Sequence, residues 1–458
     1  MVKIVVGTYG EKLGHVHGKG KGLYVLKYER DTGFAPSSDF IGTPQLSNLK
    51  NPTFLTSHRD EASGELHLYI VDERNDGAGS VNAAKIDETT GELTQLAPSV
   101  PAEVDLRPGA GAACCHISVT PGGKHVLAAN YLGGSIVAIA RKPDGSLDES
   151  TVQYLHFPPA SHPIAFPMPN ANRQESSHAH MALASSGTKG VTILVPDLGS
   201  DVVWSVPYDA SKPAASLGVP VATASHPALS GGGPRHAALH PTHALAYVCY
   251  ELSSAVACFA LDKETGAIVG EPLGVVNALG GFESGAGACD GGFLGGGGGG
   301  GAGTSRASQA YGQLVEPNTG VGDAVASLKS GHGRTRCSDA KTSLAACHVT
   351  PNGSHVVVSN RVVGGDGALS AIPLTADGLF AEGEQTPVVV TATLGRTPRD
   401  FIMLPPAEAA ATDGARKLLA LAANQDTDEI VALYEGETAR VLTSEVPTPV
   451  CLCVLPSA

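Results

Sequence analysis

The chain has little that would fit it to a membrane, a nucleic acid or a disulfide-stapled exterior. No run of eighteen apolar residues occurs, which argues against a membrane-spanning helix. Basic residues are outnumbered: 30 Lys and Arg stand against 44 Asp and Glu, for a formal charge of −14. That balance disfavours nucleic acid and anionic membrane as partners, and a small anionic ligand would need a local cluster of Arg and His. The nine cysteines are odd in number and form no C-x-x-C pair. Cys114 and Cys115 are adjacent, and Cys451 and Cys453 would share one strand face. This is the pattern of reduced, buried thiols rather than of a disulfide framework or a zinc module. The first residues, Met1 to Gly7, carry one lysine and then read as a strand, without the apolar core and cleavage site of a signal peptide. A cytoplasmic location is therefore expected. Long stretches of helical periodicity are missing as well.

In their place stand 57 glycines, 31 prolines and short β-branched runs between turns, the composition of an all-β protein. Seven apolar runs each end in a polar or aromatic anchor: Tyr9, Glu73, Asn130, Asp197, Glu251, Asn360 and Asn424. Successive anchors lie 54 to 67 residues apart, except for one step of 109. A period of this size marks a repeat array. A second strand follows each anchor, as in Ser135–Ala138 and Ala255–Cys258. Several of these strands lead to hairpin signals such as Asp31-Thr32-Gly33, Pro143-Asp144-Gly145 and Glu264-Thr265-Gly266. A leading strand precedes six of the anchors, including His178 to Leu183 and Pro234 to Leu239. The first repeat lacks one, and Thr448 to Val454 at the other end is a strand with no repeat of its own. Seven four-stranded repeats closed by both termini predict a seven-bladed β-propeller, a single unit over residues 1–458 that leaves no open edge at the seam. The long step holds residues 280–341, including a stretch (280–303) in which 14 of 24 residues are glycine. That composition cannot offset the entropy of ordering, so a disordered insertion between blades five and six is expected.

Among polar residues, His178 and His180 are two apart on an expected strand and so would point to one face. They read as a proton-transferring pair at the ring mouth, as hydrogen-bonded packing of an inner strand, or, lacking a placeable third ligand, less readily as a metal chelate. Arg235, after Gly233-Pro234, is set to aim a guanidinium into the central channel, where its planar fork would bind carboxylate or phosphate; a blade-to-blade salt bridge is the alternative. Glu251 stands at a rim position where other blades carry Asn or Asp, and reads as a base, a partner for His180, or a cap on backbone N–H groups. Arg361 beside Asn360 reads as a second anion clamp or an ion-pair partner. Arg399 in Pro398-Arg399-Asp400 repeats the Arg235 position, with Asp400 able to neutralise it. Asn130, Asp197, Asn360 and Asn424 read as ties between blades. A ring of rim oxygens could hold Ca²⁺, but seven repeats and the arginine-rich set argue against it.

The segments NPTFL, CHISVTPGGKHVLAANYLGGSI, SSHAH, GPRHAALHPTHALAYVCYEL, CHVTPNGSHVVVSNR and GRTPRDF together resemble the seven-bladed propeller lactonase family, which includes propeller-type 6-phosphogluconolactonases and 3-carboxy-cis,cis-muconate lactonising enzymes. The resemblance runs over the whole chain except the glycine-rich insertion. It implies a site of one His, two Arg and a Glu on one mouth of the ring. By motif these fall on His180 (or His178), Arg235, Glu251 and Arg361; apart from that motif match, His178, His236 and Arg399 are expected as further substrate contacts. The insertion before Arg361 departs from the family pattern. The expected activity is hydrolysis of a sugar lactone, 6-phosphoglucono-δ-lactone first, without metal or organic cofactor. Two alternatives remain: a cycloisomerase acting on carboxymuconolactone, and a non-catalytic propeller presenting loops to a protein partner.

Overall fold

In a computed structural model, residues 2–28, 41–102, 112–157, 169–212, 214, 216–223, 226–279, 342–381, 388–404, 418–434 and 439–456 are described. The hairpin signal at 31–33 and the insertion at 280–341 lie outside them. Among the described residues there is no helix long and apolar enough to cross a membrane; two short 3₁₀ turns are the only helical elements.

The strands form seven main antiparallel sheets, each running outward from an innermost strand. The innermost strands of blades two to seven are Phe54–Arg59, Cys114–Val119, Leu183–Ser186, Pro234–Leu239, Thr342–Val349 and Pro398–Met403. Blade one takes its innermost strand from the C-terminus. Pro449–Val454 pairs with Val2–Thr8, matching Val6 to Leu452 and Ile4 to Val454, and this closes the ring as the complementary half-repeats predict. The chain leaves blade five at Asn277 and enters blade six at Thr342, so the insertion falls between those two blades.

The core is divided among the spaces between blades. One apolar cluster joins Leu421, Ala423 and Ile430 of blade seven to Ile4, Val6 and Leu452 of blade one. Another joins Leu127 and Ile136 of blade three to Ile193 and Trp204 of blade four, with Phe157 stacked on Trp204 at 5.4 Å. Period-two alternation does not show in the central strands because both faces are covered: Leu66–Asp72 and Leu245–Tyr250 are buried throughout. Truncating a core leucine such as Leu421 would cost about 2–5 kcal/mol. Hairpin glycines hold the tips, with Gly145, Gly266 and Gly378 at φ +81°, +77° and +77°.

Two local features set up the channel mouth. The first is a β-bulge in the innermost strand. The register shifts around Cys115 in blade three, Arg235 in blade five, the Ala345–Ala346 pair in blade six, Arg399 in blade seven and Val450 in blade one. A bulge bends the strand and re-aims the extra side chain. The residue entering several of these strands is left-handed: Ala113, Gly233, Thr397 and Thr448 have φ of 44°, 62°, 58° and 49°. The second feature is the residue just after the second strand. Asn130, Tyr250 and Asn424 still pair in register, with Ser135, Ala255 and Glu429. The next residue in each blade, such as Tyr131, Glu251 or Gln425, is the one that reaches the rim.

Blade four departs from the expected strand. Residues 178–182 are not a regular strand; Ala179 makes an isolated bridge to Asp197, and regular pairing begins at Leu183. The cause is Asp197. Its carboxylate accepts hydrogen bonds from Ser177 Oγ, the His178 N–H, the Ser200 N–H and Oγ, and Trp204 Nε1. These side-chain bonds compete with the ladder for the same backbone.

Candidate active site

The bulge and rim positions meet at Glu251. Its carboxylate lies in contact with three guanidinium groups: Arg173 Nη2 donates to Oε1 at 2.7 Å, and Arg235 Nε and Arg361 Nη2 each lie 3.1 Å from Oε2. Glu251 and Arg235 are buried, at 2% relative exposure each. Arg235 also donates to the Ala345 carbonyl at 2.7 Å and Arg361 to the Leu344 carbonyl at 2.8 Å, so the blade-six bulge fixes both forks. Burial pushes the Glu251 carboxyl up, but attraction to Arg361, Arg173 and Arg235 outweighs it and holds the group well below the usual carboxylate range. Burial lowers Arg361 to about 10, which leaves it charged at neutral pH.

His180 stands beside this cage. It follows the Ala179 bridge as Arg235 follows Pro234, and is buried. Its Nδ1 lies 3.6 Å from Cys115 Sγ, and its ring meets Tyr131 and His236 edge-on, both at 5.4 Å. Burial, reinforced by Arg235, holds the imidazole well below its ordinary pKa, so it is neutral at pH 7 and able to accept a proton.

His178 is otherwise engaged. It stacks flat on Tyr131 at 4.4 Å, its Nδ1 meets the Tyr131 carbonyl at 3.0 Å, and its Nε2 meets Glu175 at 3.2 Å. Both ring nitrogens are used in packing, which distinguishes it from His180. His236 lies deeper in the channel, between His180, His116 and Phe54. Its Nε2 is buried without a hydrogen-bond partner among the described residues, and burial holds its pKa well below the ordinary value.

Arg399 occupies the bulge across the mouth. It donates to the Tyr9 hydroxyl at 2.9 Å and lies 5.2 Å from the Tyr9 ring centre. Asp400 turns away from this contact: it accepts the Leu452 N–H at 3.0 Å and sits 3.8 Å from His348. The neutralising role expected for it does not fit that orientation.

One expectation of register needs correction. Glu251 does not share a position with Asn130, Asp197, Asn360 and Asn424. Tyr250 holds that register, and Glu251 lies one residue beyond it, in line with Tyr9, Glu73 and Arg361. Asn130, Asn360 and Asn424 do tie backbone and side chains together, through Ala102 and Ser135, Ser370, and Thr393 respectively. Arg173 was not anticipated. It sits in the connection between blades three and four, has no counterpart in the repeat among the described residues, and is marked in sequence only as an arginine seven residues before His180. Among the described residues no group of three or more His, Cys, Asp or Glu side chains is arranged to hold a metal. All seven described cysteines are free thiols.

A closed ring of seven four-stranded blades, with a neutral histidine and clustered arginines at one mouth, defines an enzyme-like propeller. The lactonase seven-bladed β-propeller family model matches residues 3–288, and the chain belongs to that family of enzymes. It is 27% identical to the 6-phosphogluconolactonase of Bacillus subtilis (strain 168) over 98% of this chain and 96% of that protein. Solved structures share the fold. They include the periplasmic gluconolactonase of Pseudomonas aeruginosa (21% identity, TM-score 0.63, 99% of each chain) and a Lactobacillus plantarum protein (22% identity, TM-score 0.64, 100% of each chain).

Proposed function

We propose that the protein hydrolyses 6-phosphoglucono-δ-lactone to 6-phosphogluconate, with no metal or organic cofactor. The observation that carries this reading is the convergence of Arg173, Arg235 and Arg361 on one buried carboxylate beside the neutral His180. Charge supports the phosphorylated substrate. Arg173, Arg235, Arg361 and Arg399 bring four positive charges to the mouth, while Glu251 and the nearby Glu73 bring two negative ones. An excess of guanidiniums over carboxylates at the mouth favours a phosphomonoester, which carries about −1.5 to −2 at pH 7. The end-to-end likeness to a relative named 6-phosphogluconolactonase points the same way.

In this mechanism His180 takes a proton from water as its oxygen attacks the lactone carbonyl. Guanidinium groups of the cage stabilise the oxyanion that develops, ordinarily the largest catalytic contribution. The intermediate collapses by breaking the bond between the carbonyl carbon and the ring oxygen, and the proton held on His180 passes to that oxygen. Glu251 is engaged by three cations that stabilise its ionised form, whereas His180, itself a weak base because burial depresses it, is in no ion pair among the described residues. The part of Glu251 is to hold the guanidiniums in place. On this reading His180 is the base and Glu251 the positioning group, one of the two orders of roles that the sequence leaves open.

The test is hydrolysis of freshly generated 6-phosphogluconolactone by wild type and Arg235→Ala, with chelator present. Turnover that resists chelator and falls by about 100-fold or more in the variant, the scale seen for loss of one oxyanion donor, supports the reading. A wild-type rate no higher than spontaneous opening rules out this substrate. Carboxymuconolactone would then be tried.

A further inference from the structure

The wall of the mouth opposite Glu251 carries a second carboxylate. Glu73 takes the rim position of blade two, as Glu251 does in blade five, and is buried at 1% relative exposure. Its Oε2 accepts two hydrogen bonds, from the Tyr9 hydroxyl at 2.8 Å and from Thr53 Oγ1 at 2.8 Å. Its Oε1 is sealed from solvent and has no hydrogen-bond partner among the described residues. Tyr9 is held in turn by Arg399, and His15, at the tip of a small hairpin, places Nε2 3.3 Å from its hydroxyl.

This group borders the same space as the arginine cage. Tyr9 joins the two sides, since its hydroxyl donates to Glu73 at 2.8 Å and accepts from Arg399 at 2.9 Å. The two walls differ in what they leave unsatisfied. On the cage side, Arg173 Nη1 and Arg361 Nε are buried donors without partners among the described residues. On the Glu73 side, the unsatisfied atom is an acceptor. A buried carboxylate oxygen with no donor leaves its lost hydration uncompensated. A ligand that offers anionic oxygens to one wall and a hydroxyl to the other meets both needs, whereas a bare anion meets only the first.

We propose that Glu73 is the hydroxyl-recognising residue of this site, held in position by Tyr9 and Thr53, so that the mouth selects polyhydroxylated anions over anions of the same charge without hydroxyls. The proposal rests on the lactonase reading of the mouth and specifies which part of a sugar substrate meets which wall. A site built to bond a hydroxyl discriminates strongly against ligands that lack it, because the buried acceptor is then left unpaired.

The test is titration calorimetry with two six-carbon phosphomonoesters that differ in their hydroxyls, sorbitol 6-phosphate and hexyl phosphate. Wild type is expected to bind sorbitol 6-phosphate at least tenfold more tightly. Glu73→Gln, which keeps the side-chain shape but removes a negative charge, is expected to reduce that ratio to threefold or less, with hexyl phosphate bound no more weakly than by wild type. Tyr9→Phe, which releases the carboxylate from its clamp, is expected to act in the same direction. It decides the matter if thermal melting shows Glu73→Gln unfolded. Absence of preference in wild type, including absence of binding, or a preference unaltered in a folded variant, overturns the proposal. Lactone hydrolysis by wild type, measured in parallel, separates the two readings: hydrolysis without hydroxyl preference removes only the Glu73 assignment, and preference without hydrolysis removes only the proposed reaction.

Discussion

Arg235 and Arg399 occupy the same β-bulge in blades five and seven, each directly after a proline that opens its innermost strand. One contacts Glu251 and the other donates to Tyr9, so a single repeated backbone device places cations on two walls of one mouth. The bulge converts an edge-of-blade position into a channel-facing one. That is why two arginines far apart in sequence serve one site.

The cage predicts that Arg173 is needed although it lies outside the repeat. Arg173→Ala removes a 2.7 Å charge-assisted bond to Glu251 and a donor to the mouth. A fall in kcat/KM of about 10- to 100-fold is expected, since each charged hydrogen bond contributes about 1.5–3 kcal/mol. Steady-state kinetics with the phosphorylated and unphosphorylated gluconolactones checks this, and the larger loss should fall on the phosphorylated one.

Removing the central charge should have the opposite effect on anion affinity. Glu251→Gln leaves three guanidiniums around a neutral amide, and breaking a buried pair in this way costs about 3–5 kcal/mol. Thermal melting should show a lower Tm than wild type. Added inorganic phosphate should raise the variant's Tm more than that of wild type.

Acid should destabilise the fold before its carboxylates titrate. His116 is lowered to about 3 by burial, and His180 and His236 lie well below their ordinary value, also chiefly through burial. The unfolded chain therefore binds protons at these sites near pH 6.5 while the folded chain does not. Their stabilising contribution is complete above that pH and shrinks as the pH falls toward the folded pKa values. One pH unit below 6.5, the loss is roughly 1 kcal/mol for each buried histidine. Urea unfolding at pH 7.5 and 5.5 measures it, and equal stability at the two pH values would contradict the burial of neutral imidazoles.

The insertion should be dispensable for the ring. Its two ends meet at Ser254, whose carbonyl accepts the Ala278 N–H at 2.9 Å and whose hydroxyl lies 2.8 Å from Thr342 Oγ1. Replacing residues 281–340 with a short Gly-Ser linker is expected to give a folded protein whose Tm lies within a few degrees of wild type, as differential scanning calorimetry would report.

Much of the architecture was legible because the repeat is written in hydrophobic runs and turn glycines, and because a missing first strand and a spare last strand complement each other. The four family-matched side chains were legible as residue types but not in their relations. Asn130, Asp197, Asn360 and Asn424 stand out in sequence, yet they point into the blades, and Glu251 differs from them by the single residue that reverses facing along a strand. Adjacent residues in a run ending Tyr-Glu or Asn-Arg give no sign of which one faces the channel until pairing fixes the register. The regular strand expected at 178–182 was lost to the hydrogen bonds gathered by Asp197. Arg173 and Glu73 depended on tertiary contacts with no local pattern: one sits in an irregular connection, and the other looks like any rim anchor until Tyr9 and Thr53 are seen to hold it.

The central claim is that His180 is a neutral proton acceptor working beside an arginine cage. The most direct measurement is the pH dependence of kcat/KM for 6-phosphogluconolactone hydrolysis, corrected for spontaneous opening, in wild type and His180→Gln. Because burial and Arg235 depress the imidazole, the account predicts a rate that holds from neutral pH down through the ordinary histidine range and declines only at lower pH. It also predicts at least 100-fold lower activity in the variant. A wild-type profile that falls away with an apparent pKa near 6.5, or a variant with undiminished activity, would contradict it.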